Sequence, residues 1–470
     1  MASKACFQSE WLIRGGTVVT AEDQVLADVH IIGEKIQAVG PEASRAVVSA
    51  ERILDATGCY VFPGGIDPHT HMELPLPSTQ SSDSFESGTA AALHGGTTTI
   101  IDFANQWRGG TLKEALSKWR TKADGNALCD YGLHLSITEF TKSVRDELPG
   151  CVRAGVPSFK IFTAYKGTMQ IDDRQILQVM ESVHEQGGLV LAHAENGDLI
   201  DHLVARHRVR NELAPKFHAL SRPTIAEAEA TSRLIDLAAQ THCPLYIVHL
   251  SAGEALERAR AAVARNRVSS PVYLETCIQY LLLTSELYEQ PGFDGAKYVL
   301  SPPLRSASDL QALWKGLADN VIEVLATDHC PFTLEQRRLG IHDFTKIPNG
   351  LAGVEHRMEL LFSEGVSKGR LPLSRFVELT STAAARIFGL YPKKGTVEAG
   401  SDADLVIFDP TRKKIISAAS HHMHVDYSVY EGREVTGVCR TVMLRGQVAV
   451  HEGELKIGKG FGKFLVRSTG

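Results

Sequence analysis

At 470 residues, with 43% hydrophobic and 22% charged residues and a formal charge of −6, the chain is too long for one small core and has an ordinary globular composition. The mild negative balance argues against nucleic acid as a partner, and no apolar run approaches the ~20 residues of a membrane span. The eight cysteines (Cys6, Cys59, Cys129, Cys151, Cys243, Cys277, Cys330, Cys439) show no Cys-x-x-Cys spacing and the first eight residues lack a signal-peptide core, so free thiols in a cytoplasmic compartment are expected.

From about residue 10 to 58 the chain reads as short strands with Gly-centred turns: 12–14, Gly15-Gly16, 17–20, 28–32 and 36–39. The same texture returns at 404–408, 437–444 and 447–450. A small discontinuous β-sandwich domain built from both termini is therefore expected, with parts 1–58 and 385–455 and a C-terminal arm at 456–470. Between them, in 59–384, eight apolar stretches read as strands: 60–66, 97–103, 131–137, 158–162, 189–193, 245–249, 272–275 and 321–327. Helical patterns separate them at 86–93, 112–123, 143–153, 172–186, 226–240, 254–265 and 309–317. In the fourth of these, Ile176, Val179, Met180 and Val183 fall at i, i+3, i+4 and i+7, with Asp172 placed to cap and Gly187-Gly188 to stop the helix. Eight such units predict an α/β fold, a closed TIM-like (β/α)8 barrel. An open doubly wound sheet is the alternative, but no Gly-x-Gly-x-x-Gly follows the first strand.

Barrel sites lie at the C-terminal ends of the strands. The first strand runs into Gly64-Gly65-Ile66-Asp67-Pro68-His69-Thr70-His71. Side chains at i and i+2 of a strand point the same way, so His69 and His71 project together as two ligands of one metal. The fourth strand carries Lys160, the fifth ends in His193, the sixth in His249 and the eighth in Asp328. Any one of these alone is more often structural or merely solvated. Together they point to a metal centre. A lysine ammonium there would be desolvated and would repel a cation. Deprotonated and combined with carbon dioxide, Lys160 becomes a carbamate, an anionic ligand with two oxygens that can bridge two cations. Its plain alternative is an ion pair with Asp328 in a metal-free site. His329 is read as packing on the other strand face.

With Ser158-Phe159-Lys160-Ile161-Phe162-Thr163-Ala164-Tyr165, His193-Ala194-Glu195-Asn196-Gly197, Glu275-Thr276-Cys277, Ser301-Pro302-Pro303-Leu304-Arg305, Thr327-Asp328-His329-Cys330-Pro331-Phe332 and Pro348-Asn349-Gly350, the chain resembles the dihydropyrimidinase and hydantoinase group of cyclic amidohydrolases over essentially its full length. The resemblance implies that His69, His71 and Asp328 hold a first divalent metal ion and His193 and His249 a second, with carboxylated Lys160 bridging both and zinc the usual ion. It also implies that Tyr165 lies over the substrate, that main-chain groups at Ser301 and Asn349 read its amide edges, and that Leu76 and Phe162 lie near the ring substituent. Ile278 and Thr163 depart mildly from the family pattern.

The activity so implied is hydrolysis of the ring amide C–N bond of a small cyclic ureide, a 5,6-dihydropyrimidine or 5-substituted hydantoin, to an N-carbamoyl amino acid. Asp328 would move the proton and Tyr165 would stabilise the oxyanion. Dihydroorotase and allantoinase are the sibling alternatives. Glu73, where dihydroorotases place an arginine, disfavours an anionic ring. Non-enzymatic cytoskeletal regulators share the architecture but lack ligands, whereas all six ligand positions are filled here. A homotetramer is expected, with Phe461, Phe464 and Leu465 of the arm packing on a neighbouring subunit.

Overall fold

Two sheets carry the architecture of the computed structural model, which describes residues 9–46, 48–266 and 270–469. Cys6 and the N-terminal octapeptide lie outside them. The first sheet has eight parallel strands in sequential order: β1 Gly65–Thr70, β2 Thr97–Asn105, β3 Asp130–Ser136, β4 Ser158–Phe162, β5 Leu189–His193, β6 Leu245–Ile247, β7 Val272–Cys277 and β8 Val324–Ala326. Helices cover these strands outside, so both faces are buried and their sequences run apolar without alternation. Closure occurs past the ends of β1 and β8. The backbone N–H of His71 donates to the carbonyl of His329 at 2.8 Å, and Thr70 and His329 form a parallel bridge. The expected (β/α)8 barrel is present.

The seven expected helices appear at Phe85–His94, Leu112–Ala123, Lys142–Arg153, Asp173–His184, Thr224–Thr241, Gly253–Asn266 and Ala307–Ala318. An unforeseen one spans Gly197–Val209, capped by Asn196, whose Oδ1 accepts from the Leu199 N–H at 3.0 Å.

The expected strand 60–66 is two strands belonging to different sheets. Tyr60–Pro63 pairs in parallel with Glu10–Val19 and antiparallel with Leu405–Ile415, while Gly65–Thr70 opens the barrel. Gly64 is the crossing point: a Cβ there would lie 2.1 Å from Thr98 Oγ1, so no side chain fits. The second sheet has nine strands and is mostly antiparallel, with Tyr60–Pro63 seated between N-terminal and C-terminal segments. Gly15-Gly16 is a bulge inside the strand Glu10–Val19 and not a turn. The register jumps between Ile13 and Gly16, and the Gly15 N–H, at φ +72°, donates to Asp28 Oδ1 at 2.8 Å.

A buried ion cluster ties the two sheets together. Lys394, 2% exposed, puts Nζ 2.9 Å from Asp130 Oδ2 at the foot of β3, 3.3 Å from Asp402 Oδ2, and in hydrogen-bond contact with Asp404. Arg445 also binds Asp130. The three carboxylates lie close enough together to suggest a metal site, but the Lys394 ammonium fills their centre. Replacing Lys394 with methionine leaves these carboxylates with the Arg445 guanidinium at Asp130 and the half-exposed Lys35 ammonium at Asp402. We expect a loss of about 3–5 kcal/mol of stability, read as a lower denaturation midpoint; an unchanged midpoint would show the cluster to be dispensable.

The C-terminal arm packs within its own chain. Its described residues dock on the barrel floor of the same chain: Tyr131 N–H donates to Lys463 O at 3.0 Å, Leu465 N–H to Tyr131 O at 2.7 Å and Arg467 N–H to Gly155 O at 3.2 Å. Phe464 packs against Tyr131, ring centroids 5.6 Å apart, beneath the Arg120 guanidinium. The apolar residues near the terminus thus find partners within their own chain. Among the described residues, no helix is long and apolar enough to cross a membrane.

Candidate metal centre and active site

Each ligand candidate sits at the mouth because a strand delivers it there. His69 is in β1 and His71 one residue beyond it; Asp328 and His249 follow two residues after β8 and β6. Asp328 (φ +51°), His249 (φ +41°) and Tyr165 (φ +69°) all hold left-handed backbone conformations. Strained backbone of this kind collects at functional sites.

Carboxylates fix the imidazoles. His69 Nδ1 is bound to Glu275 Oε1 at 2.7 Å, which turns Nε2 toward Asp328 Oδ1 at 3.2 Å; His71 Nε2 meets the same oxygen at 3.0 Å. On the other side, His193 Nε2 is held by Glu195 Oε2 at 2.7 Å, leaving Nδ1 2.9 Å from His249 Nε2. An imidazole anchored to a carboxylate through one nitrogen and free at the other is the usual arrangement of a metal ligand. Burial drives His69 and His249 well below the ordinary histidine range, so both rings are neutral and able to ligate.

Lys160, 2% exposed, lies in β4 with Nζ 4.9 Å from the Phe103 ring centre and 5.3 Å from that of Phe162. Burial pulls its pKa down to about 7, against the opposing charges of Glu275 and Asp328. No ion pair joins Lys160 to Asp328 among the described residues; the carboxylate is taken by the two histidines. The metal-free alternative lacks its defining contact. Ligand atoms of His69, His71 and Asp328 lie within 4.8 Å of one another, the facing nitrogens of His193 and His249 are 2.9 Å apart, and a lysine with a depressed pKa stands in the same barrel mouth. This donor set of imidazoles and carboxylate fits divalent cations.

The residues expected to touch substrate gather beside it. Tyr165 lies 5.1 Å from the His193 ring with its hydroxyl facing Ser301. Asn349 Nδ2 donates to Ser301 Oγ at 3.3 Å. Phe162 stacks 5.8 Å from His193. Leu76 is half-buried in a hairpin, Pro75–Leu76 against Thr79–Gln80, which connects to the site through Ser81 Oγ donating to the His71 carbonyl at 2.6 Å.

Two groups with no role assigned from sequence hold the centre in place. Glu275, besides binding His69, accepts from the His249 N–H at 2.8 Å and from the Tyr246 hydroxyl at 2.9 Å; burial pushes its carboxyl up to about 8. Glu195 binds both His193 and Arg222, whose guanidinium lies 5.3 Å from the Tyr165 ring centre. Burial alone would raise Glu195, but Arg222 and His193 hold it at about 2. A lone carboxylate in or just after an apolar strand is the signal that marks both glutamates; Arg222 carries none. His329 points away to Asp83, Nε2 to Oδ2 at 3.0 Å.

The Amidohydrolase family model matches residues 60–449. Over 465 residues the chain is 47% identical to a D-hydantoinase of Streptomyces coelicolor, covering 98% of each chain. It is 47% identical over 459 residues to a D-hydantoinase of Geobacillus stearothermophilus, covering 97% of this chain and 96% of the relative. The crystal structure of dihydropyrimidinase from Brevibacillus agri NCHU1002 superposes with a TM-score of 0.95 at 44% identity, covering 98% of this chain and 99% of that one.

Proposed function

Because this chain belongs to the amidohydrolase family, in its hydantoinase and dihydropyrimidinase branch, we propose that it is a cyclic amidase. Its reaction is hydrolysis of the ring amide C–N bond of 5-substituted hydantoins and 5,6-dihydropyrimidines to N-carbamoyl amino acids. The observation that carries this reading is the meeting of four histidines, Asp328 and Lys160 at one barrel mouth, beside Tyr165, Ser301 and Asn349.

His69, His71 and Asp328 would hold one divalent ion and His193 and His249 the other, with carboxylated Lys160 between them and zinc the proposed metal. Such ions, once bound, supply Lewis-acid charge and bring the ionisation of water near neutral pH. Asp328 takes a proton from the attacking water and returns it to the departing ring nitrogen. Tyr165, kept protonated because burial raises its pKa to about 12, donates to the oxygen that becomes negative. Ser301 and Asn349 orient the amide edges, and Phe162 and Leu76 face the substituent.

A neutral ring suits the charges around it. The Arg222 guanidinium is paired with Glu195. The Glu73 carboxylate accepts from the Phe85 N–H at 3.3 Å, and an acidic side chain at position 73 disfavours an anionic ring. The D hand at C5 is proposed from the relatives' names. Seven described cysteines are buried and free, which supports a cytoplasmic location. A homotetramer is proposed on the family resemblance.

The test is a panel of dihydrouracil, D- and L-hydantoins, allantoin and dihydroorotate, with metal analysis of the same sample. D-hydantoins and dihydrouracil should be opened by protein carrying two metal ions per chain. Turnover confined to dihydroorotate or allantoin would sink the assignment.

A further inference from the structure

At the opposite end of the barrel from the catalytic mouth, the arm carries a guanidinium under the floor. Arg467 is 2% exposed. Its Nη2 donates to the Leu133 carbonyl and to Ser158 Oγ, the latter at 2.8 Å, while Nε and Nη1 are buried without partners. Gly132 makes room for it: a Cβ there would lie 3.2 Å from Nε. The Phe388 ring centre lies 5.8 Å from the guanidinium carbon. His134 shares Ser158 Oγ at 2.6 Å and is neutral, since burial drives it well below the histidine range.

No carboxylate faces Arg467 among the described residues. Other buried arginines are served differently. Arg222, Arg305 and Arg445 each pair with a glutamate or aspartate, and Arg337 directs its head to three carbonyls and a tyrosine hydroxyl. Burial is the sole influence on Arg467 and lowers its pKa to about 9, so it remains a cation at neutral pH. A buried charge without a counter-charge is costly. Arg467 also lines a cavity of about 320 Å³, together with Ser158, Tyr273, Arg386, Ser468 and Thr469.

We propose that the barrel floor is a binding site for a small oxyanion, a carboxylate or a phosphate, anchored by Arg467. Such a ligand supplies the missing counter-charge beside the guanidinium. The hydroxyls of Ser468 and Thr469, which line the cavity, donate to it, and Arg386 stands at the cavity with its own partners Glu22 and Glu378. Occupancy fastens the arm to β3 and β4, so the ligand also stabilises the docked terminus.

The test is calorimetric titration of the metal-loaded full chain with inorganic phosphate and, separately, acetate at constant ionic strength, followed by crystals soaked in each. The wild type should bind at least one anion, with density beside Arg467. Arg467→Gln should weaken that binding by roughly tenfold or more and leave hydantoin opening within about twofold, because Arg467 lies outside the catalytic site. Binding of acetate alone identifies a carboxylate ligand; binding of phosphate alone identifies a phosphate. Should Arg467→Gln fail to fold, Arg386→Gln serves instead, with an affinity loss of roughly threefold. Unchanged affinity in the variant that folds, density confined to the metal centre, or no binding of either anion overturns the proposal.

Discussion

Lys160→Ala is expected to lose hydrolytic activity by roughly 10⁴-fold or more and to retain far less metal than the wild type. The side chain reaches the centre past the rings of Phe103 and Phe162 and makes no ion pair among the described residues. Its removal therefore breaks no direct ion pair, and Asp328 and Glu275 keep their histidine partners. The backbone of β4, hydrogen-bonded to β3 and β5, should hold the fold. The measurement is metal content by mass spectrometry beside turnover and circular dichroism on one preparation. A folded alanine variant that keeps full metal and full activity would refute the bridging role.

Asp328→Asn is the second large effect, and metal analysis of the same sample separates proton transfer from ligation. Asparagine tolerates the left-handed backbone at this position, φ +51°, and keeps an oxygen facing His69 and His71. It cannot take up and return a proton. We expect kcat to fall by roughly 10³-fold, with KM changed by only a few-fold, since the residues proposed to orient substrate are untouched. Steady-state kinetics across a range of D-hydantoin concentrations decides it. Turnover within tenfold of wild type, in protein with normal metal content, would remove Asp328 from the proton path.

Much of the barrel was legible because buried parallel strands write themselves as apolar runs and helices as 3.6-residue stripes. The candidate ligands were legible because several imidazoles, a carboxylate and a lysine recur at the ends of such runs, a pattern that a single polar residue would not make. Elsewhere the local pattern lacked the information. Residues 60–66 read as one strand, yet the partners of Tyr60–Pro63 lie in both termini and those of Gly65–Thr70 in the barrel. Strand alternation predicts His69 and His71 on one side, although His71 lies beyond the strand; the bond from its N–H to the His329 carbonyl holds it there. Glu275 and Glu195 looked like isolated carboxylates until folding set histidines against them. The arm's apolar residues announced docking without saying on which surface.

The interleaving of Tyr60–Pro63 between the strands Glu10–Val19 and Leu405–Ile415 has a consequence for biosynthesis. One edge of that strand is satisfied early, while its other neighbour leaves the ribosome only near the end of translation. For most of that time the nascent polypeptide carries a bare β-edge directly ahead of His69, a surface prone to wrong pairing. Truncated products ending before residue 405 are therefore expected to aggregate even when every metal ligand has been made.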